Sequence, residues 1–292
     1  MYWRKWEHTF PLINFMTIIT IGPVTRDLII TRDNRESKTG GAVYFQAFVF
    51  EEFYPDYMVI TNCDDINLIN DFPNKDKVKL IKKDDTHYFI NEYPDNDYER
   101  IQSSNFPNIP ITKDDLSDIL PENIDAFIIN PLNAFDFPNE TINYLKSFNV
   151  PIYMSLQGFL RYPCEKINDN TYSISLKLTS EKISMLCDID GLFLDEYESE
   201  ILFETNNPKD MNINEIIITN GFKGSRVLAD KEYKIQPVKA DSIIDSTGCG
   251  DTYMAAYISK KLTTQSILKS ANFASKIASD KLSFFGPFKS DI

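Results

Sequence analysis

The chain has 292 residues and is acidic, with 43 Asp and Glu against 30 Lys and Arg and a formal net charge of −13. That balance argues against a nucleic-acid backbone or an anionic membrane as main partner, but it leaves room for a polyanionic nucleotide held at one local nest. Cys63, Cys164, Cys187 and Cys249 stand far apart with no CxxC spacing, as in a reduced intracellular chain, and with His8 and His87 the only histidines a multi-histidine metal site is untenable.

The opening residues lack an apolar core followed by a small-residue cleavage site, and no apolar run is long enough to span a membrane. The expected compartment is the cytoplasm. Residues 1–15 read as an N-terminal extension and 16–292 as one α/β domain, a length that can bury a large core. MTIITI at 16–21 is a β-rich run closed by Gly22-Pro23, a buried first strand. LII at 28–30 predicts a second strand, and polar TRDNRESKT leads to Gly40-Gly41. AVYFQAFVFEEF from Ala42 predicts a helix buried on more than one face, and YMVITNC at 57–63 the next strand.

Residues 78–102 alternate like antiparallel strands, with VKLIKK, THYFINEY and ERIQ separated by Asp-rich turns, which predicts a small sheet beside the main body. With 22–45 it would form a lid of two separated excursions, carrying Arg100 and Gln102. From Asp115 onward strands and helices alternate at the spacing of an open, mostly parallel sheet covered by helices. In such sheets ligands sit beyond the carboxyl ends of the strands, where Asp27, Gln157, Asp195 and Gly221 fall.

Asp245 to Tyr253, DSTGCGDTY, is a Gly-bracketed turn followed by the small apolar run MAAYI, which reads as a helix start. Backbone N–H groups without intrahelical partners would favour an anion there, and the glycines would let it approach closely. A carboxylate beside such a nest, Asp251, makes chemical sense as acceptor of a proton from an attacking hydroxyl. The same residues also suit an ordinary helix start, capped by Thr247, with Asp251 in the first turn.

DSTGCGDTYMAAYI resembles the C-terminal signature of the ribokinase-like (PfkB) family of sugar and nucleoside kinases, with Cys249 where Ala is usual and Tyr253 where Phe is usual. GPVTRDLII with KTGGAVYFQAF is similar to the family's N-terminal half, except that Phe45 matches a position where many members carry Asn. THYFINEYPDNDYERIQ resembles the lid segment, and SLQGFLR a strand end of a branch that includes cyclitol (inositol) kinases. LDEYESE resembles the Asn-x-x-Glu magnesium motif with Asp195 in place of Asn. TNGFKG and SANFASKIAS resemble stretches beside the nucleotide.

The resemblance implies a ribokinase-like fold with a small β-rich lid and an ATP-dependent transfer of a phosphoryl group to a hydroxyl of a sugar or cyclitol. It implies Asp251 as catalytic base and the amides of Gly248, Cys249 and Gly250 as anion hole. Asp27, Gly40, Gly41, Phe45 and Arg161 would meet the hydroxylated substrate. Thr219, Gly221, Gly224, Thr247 and Asn272 would flank the nucleotide. Asp195 and Glu198 would serve Mg2+, and Asp245 stands where several members bind K+. Homodimerisation through the lid sheet accords with the family. A nucleoside kinase of the same fold, with Tyr44 and Phe45 stacking on a base, is the alternative enzyme. A non-catalytic ligand-binding homologue is the alternative class, and a nicotinamide dehydrogenase lacks its early GxGxxG.

Overall fold

The computed structural model describes residues 17–94 and 101–290, so the N-terminal extension at 1–15 and Arg100 lie outside the described residues. The strands of the first half are β1 (Thr17–Ile21), β2 (Thr25–Thr31), β3 (Arg35–Gly40), β4 (Tyr57–Cys63), β5 (Val78–Lys82), β6 (His87–Tyr93) and β7 (Ile101–Ser104). Those of the second are β8 (Ile124–Ile129), β9 (Ile152–Ser155), β10 (Arg161–Lys166), β11 (Tyr172–Leu176), β12 (Ile189–Asp195), β13 (Ile213–Thr219), β14 (Ser225–Leu228) and β15 (Glu232–Ile235). The helices are α1 (Ala42–Phe53), α2 (Lys113–Ser117), α3 (Asn139–Lys146), α4 (Gln157–Leu160), α5 (Ser180–Leu186), α6 (Glu196–Thr205), α7 (Cys249–Thr264) and α8 (Ile267–Lys281).

Nine strands form the main sheet in the order β15-β14-β13-β12-β9-β8-β1-β4-β5. From β13 to β5 the neighbours are parallel, and β14 and β15 add an antiparallel edge. Sheet interiors covered on both faces select continuous apolar runs, which is why TIITI and IIIT carry no solvent face. One face is packed by α1, α7 and α8 through Phe50, Tyr257, Ala255, Ala271 and Ile277. The other is packed by α2, α3, α5 and α6 through Leu116, Leu145, Leu186 and Leu202. In α1 aromatic and β-branched residues are helical because neighbours surround them, so packing overrides a weak intrinsic propensity.

Six strands form the second sheet, in the order β10-β11-β7-β6-β2-β3. Three hairpins build it: β2–β3, β6–β7 and β10–β11, with β2 and β6 joined in parallel. Three departures from the sequence reading matter. Residues 78–82 do not join the small sheet; β5 runs parallel to β4 as the edge of the large one. Its alternation reflects an edge with one wet side. The third hairpin, 161–176, is polar and solvated over much of its surface, so no apolar pattern marks it as part of the lid. Likewise the polar stretch before Gly40 is a strand, β3, paired to β2.

Candidate active site

The carboxyl ends of the parallel strands open under the small sheet, and a cleft of about 410 Å³ lies there. Its walls come from both layers, with Asp27 and Lys38 from the small sheet and Phe45, Asp245 and Thr247 from α1 and the turn before α7, which pack on the large one. The sequence brings Asp27 there through β2, which leaves the main sheet after β1 at Gly22-Pro23. Thr25 Oγ1 donates to Asp27 Oδ1 at 2.7 Å. A Cβ on Gly40 would push aside both the Asp27 carboxylate and the Thr25 hydroxyl, so the glycine lets them hold this arrangement. Gly41, at φ 94°, is the N-cap of α1, and a Cβ there would strike the carbonyl of Pro23.

Across the cleft, Gly248 is the N-cap of α7 at φ 74° and the first intrahelical bond runs from Thr252 N–H to Gly248 O at 2.8 Å. Cys249 N–H donates back to Ser246 O at 3.2 Å. Among the described residues the N–H groups of Gly248 and Gly250 have no backbone acceptor, and space is open in front of Gly250. Of the three amides expected at this turn, that of Cys249 closes the turn, while those of its two glycine neighbours are not taken up by backbone carbonyls. Cys249 buries its thiol instead, which pushes that group up to about 11.

Asp251 follows in the first turn of α7. Burial pushes its carboxyl up to about 6, the Asp27 carboxylate adds to the rise, and the charges of Arg161 and Lys281 oppose it. Asp27 and Asp251, from opposite ends of the chain, are therefore brought close enough for their charges to interact. Arg161 is buried where α4 passes into β10, its guanidinium 5.3 Å from the centre of the Phe89 ring. Its position depends on Gly158, since a Cβ there would overlap the Pro131 carbonyl, and the Arg161 carbonyl accepts from Ala134 N–H at 3.1 Å. Phe89 stands opposite Asp27 in the β2–β6 register.

Arg161 also acts on Glu198. Burial and then the neighbouring Asp195 push Glu198 up to about 7, against the Asp195 N–H, Arg161 and a bond from Gln157. Asp195 and Glu198 form a reciprocal cap on α6: Glu198 N–H donates to Asp195 Oδ1 at 2.8 Å, and Asp195 N–H to Glu198 Oε2 at 2.9 Å. Glu198 is buried and Asp195 is exposed at the end of β12. Among the described residues no cluster of three acidic, Cys or His side chains could hold a metal ion.

The remaining expected residues are more scattered. Thr219 ends β13, its hydroxyl donating to Leu194 O at 3.4 Å. Gly221 and Gly224 have positive φ, and a Cβ on Gly224 would strike the Ile235 carbonyl, so this turn lies on the β15 edge. Asn272 is exposed on α8 and its amide donates to Leu268 O at 2.8 Å, within its own helix. Phe45 is buried with its ring against Gly248, supporting the turn while also reaching the cleft wall. Asp245 Oδ1 accepts from Thr247 N–H at 2.8 Å and Oδ2 from Gly286 N–H at 3.0 Å. Burial works against it, but those N–H groups and the Lys281 ammonium hold Asp245 below the ordinary carboxylate range.

Sequence reasoning passed over Thr25, Lys38 and Lys281. Lys38 faces Asp27 in the β2–β3 register and could have been found once β3 was recognised. Lys281 carries no signal, because helix-end lysines are ordinary.

Residues 168–286 match the pfkB family carbohydrate kinase profile. No curated protein matches the chain. The chain is similar to a pyrophosphate-dependent kinase in the ribokinase family solved as a sulfate complex, with 26% identity and a TM-score of 0.78 over 93% of this chain and 97% of that one. A pyrophosphate-dependent kinase in the ribokinase family, complexed with a pyrophosphate analog and myo-inositol, gives 25% identity and a TM-score of 0.76 over 93% and 97%. Arabidopsis thaliana ribokinase complexed with ribose and ATP shares the fold at 16% identity, with a TM-score of 0.69 over 93% and 94%. The architecture is ribokinase-like. Among the described residues no helix is long and apolar enough to cross a membrane.

Proposed function

For this ribokinase-like (PfkB) chain we propose a phosphotransferase that moves a terminal phosphoryl group from a phosphoanhydride donor to a hydroxyl of a cyclitol or sugar. The observation that carries the reading is that Asp251, in the first turn of α7 beside Gly248 and Gly250, lies within electrostatic reach of Asp27, which lines the cleft, and of Arg161. Asp27 accepts from adjacent substrate hydroxyls and, with Thr25 fixing its orientation, sets which one points at Asp251. The donor's terminal phosphate lies against the Gly248 and Gly250 amides, which stabilise the charge on the transferring group. The acceptor oxygen bonds to phosphorus as the bridging P–O bond breaks, and the hydroxyl proton passes to the Asp251 carboxylate. With its affinity for protons raised towards neutrality, Asp251 is a better acceptor than an ordinary aspartate.

Two carboxylates suffice for magnesium, an ion that keeps most of its waters. The Asp195 cap engages only Oδ1, at an exposed strand end, so Asp195 with Glu198 behind it would hold Mg2+, which would neutralise donor charge. Pyrophosphate is our first choice of donor, because kinases of that dependence match at 25% identity or more over nearly the whole chain. ATP is the second, favoured by the exposed apolar side chains of Val238, Ile243 and Ile244 on the segment entering the turn, which a nucleobase could cover. The myo-inositol in one similar structure makes a cyclitol the acceptor of choice.

The test is turnover with pyrophosphate and with ATP against inositols, pentoses, hexoses and nucleosides, with Asp251→Asn as control. Turnover of an inositol or sugar, abolished in the variant, is expected. Turnover of nucleosides alone would move the reading to the nucleoside branch. No turnover with any pair would favour a ligand-binding homologue.

A further inference from the structure

The most thoroughly buried charge beside the cleft belongs to a residue that no motif marks. Lys281, the last residue of α8, has 0% of its side chain exposed. Its Nζ donates to the backbone carbonyl of Asp245 at 2.7 Å and lies 3.5 Å from Asp245 Oδ2. Burying an ammonium costs several kcal/mol unless it is paired and hydrogen-bonded, so this one is held by oxygens at a specific point. That point is where the sequence reading expected Asp245 to help bind K+. The ion does not fit: the carbonyl and Oδ2 that Asp245 could give it are engaged by the ammonium, and Oδ1 is engaged by Thr247 N–H.

We infer that Lys281 is the built-in cation of the donor-phosphate turn, a positioning residue that replaces a monovalent metal ion and makes the protein independent of K+. Lys281 anchors Asp245, which holds Thr247 N–H on one oxygen and Gly286 N–H on the other. The chain entering the turn is further pinned to the end of α8, with Ile244 N–H donating to Leu282 O at 2.8 Å. Gly248 and Gly250 are thereby fixed before any donor arrives. The field of the ammonium extends into the turn, where it acts on Cys249 and Asp251. A covalently supplied cation has no dissociation constant, so the turn keeps its charge at any salt composition.

The inference rests on the phosphotransferase reading only for the identity of the anion. The experiment measures thermal unfolding and pyrophosphate binding by calorimetry on the full chain, in KCl and in tetramethylammonium chloride of equal ionic strength. The wild type is expected to show the same melting temperature and the same affinity in both salts. Lys281→Met is expected to weaken pyrophosphate binding about tenfold or more, the scale of one charge-assisted bond, and to regain part of it with K+ or methylammonium. Specific stabilisation of the wild type by K+, or tighter pyrophosphate binding in KCl, would overturn the inference. So would Lys281→Met binding pyrophosphate like the wild type in both salts. Should Lys281→Met not fold, the wild-type salt comparison decides alone. A wild type indifferent to K+ yet inactive with every donor and acceptor would count against the kinase reading and leave the buried cation standing.

Discussion

The ring of Phe45 packs directly against Gly248, so closely that the glycine has no room for a methyl group. The contact joins the first turns of α1 and α7. Gly248→Ala would add a Cβ both at φ 74° and inside that ring. Its expected effect is a fall in kcat of at least about tenfold. Phe45→Ala in the same chain should recover part of the loss, and a double-mutant cycle on kcat and on unfolding measures the coupling. Strict additivity would show that the ring and the turn act independently.

Asp251 titrates within reach of ordinary assay conditions. Its carboxyl is raised to about 6, so it is protonated below that pH and unable to accept the substrate proton. The kcat profile should therefore fall on the acid side with a midpoint near 6. Arg161 stabilises the charged form, so Arg161→Met moves that limb to higher pH; Asp27 opposes it, so Asp27→Asn moves it lower. Asp251→Asn should lose about 10²–10⁴ in kcat with little change in melting temperature. A limb that stays in place in both neighbouring variants would separate it from Asp251.

Glu198 links stability to pH. Its folded-state carboxyl is raised from 4.5 to about 7 by burial and Asp195. The folded protein thus binds more protons than the unfolded chain between those values, and this contribution is complete below 4.5 and lost as pH rises through 7. The span corresponds to about 3 kcal/mol. Glu198→Gln keeps an acceptor for Asp195 N–H and removes the titration. The difference in urea unfolding free energy between pH 5 and pH 8 should shrink in the variant; an unaltered difference would contradict the linkage.

A second buried polar group is structural. Thr20 Oγ1 donates to Gln46 Oε1 at 2.7 Å, Gln46 Nε2 to Asn130 Oδ1 at 2.8 Å, and Asn130 Nδ2 to Thr20 Oγ1 at 2.9 Å. The ring ties β1, α1 and the end of β8 together inside the core. Gln46→Leu leaves Thr20 and Asn130 short of partners in a dry site and should cost about 1–3 kcal/mol for each group left unmet. Chemical denaturation measures it, and a change below about 0.5 kcal/mol would mean that the pocket rehydrates.

The sequence alone was enough for the α/β class, the strands β1, β4, β8, β9, β12 and β13, and the Gly-bracketed turn before α7, because continuous apolar runs and glycine punctuation are local signals. It also carried Asp27 and Asp251 as residues worth pairing. Tertiary structure alone decided what local pattern cannot encode. The polar hairpin β10–β11 becomes part of the lid because β7 accepts its edge through β11, and β5 belongs to the main sheet because β4 offers a parallel one. Cys249 proved to close its own turn, leaving two amides without a backbone acceptor among the described residues. Lys281 became a fixed charge beneath that turn only when α8 delivered its end to Asp245. Each of these depends on a neighbour distant in sequence, and a side chain's role follows from which neighbour the fold delivers to it.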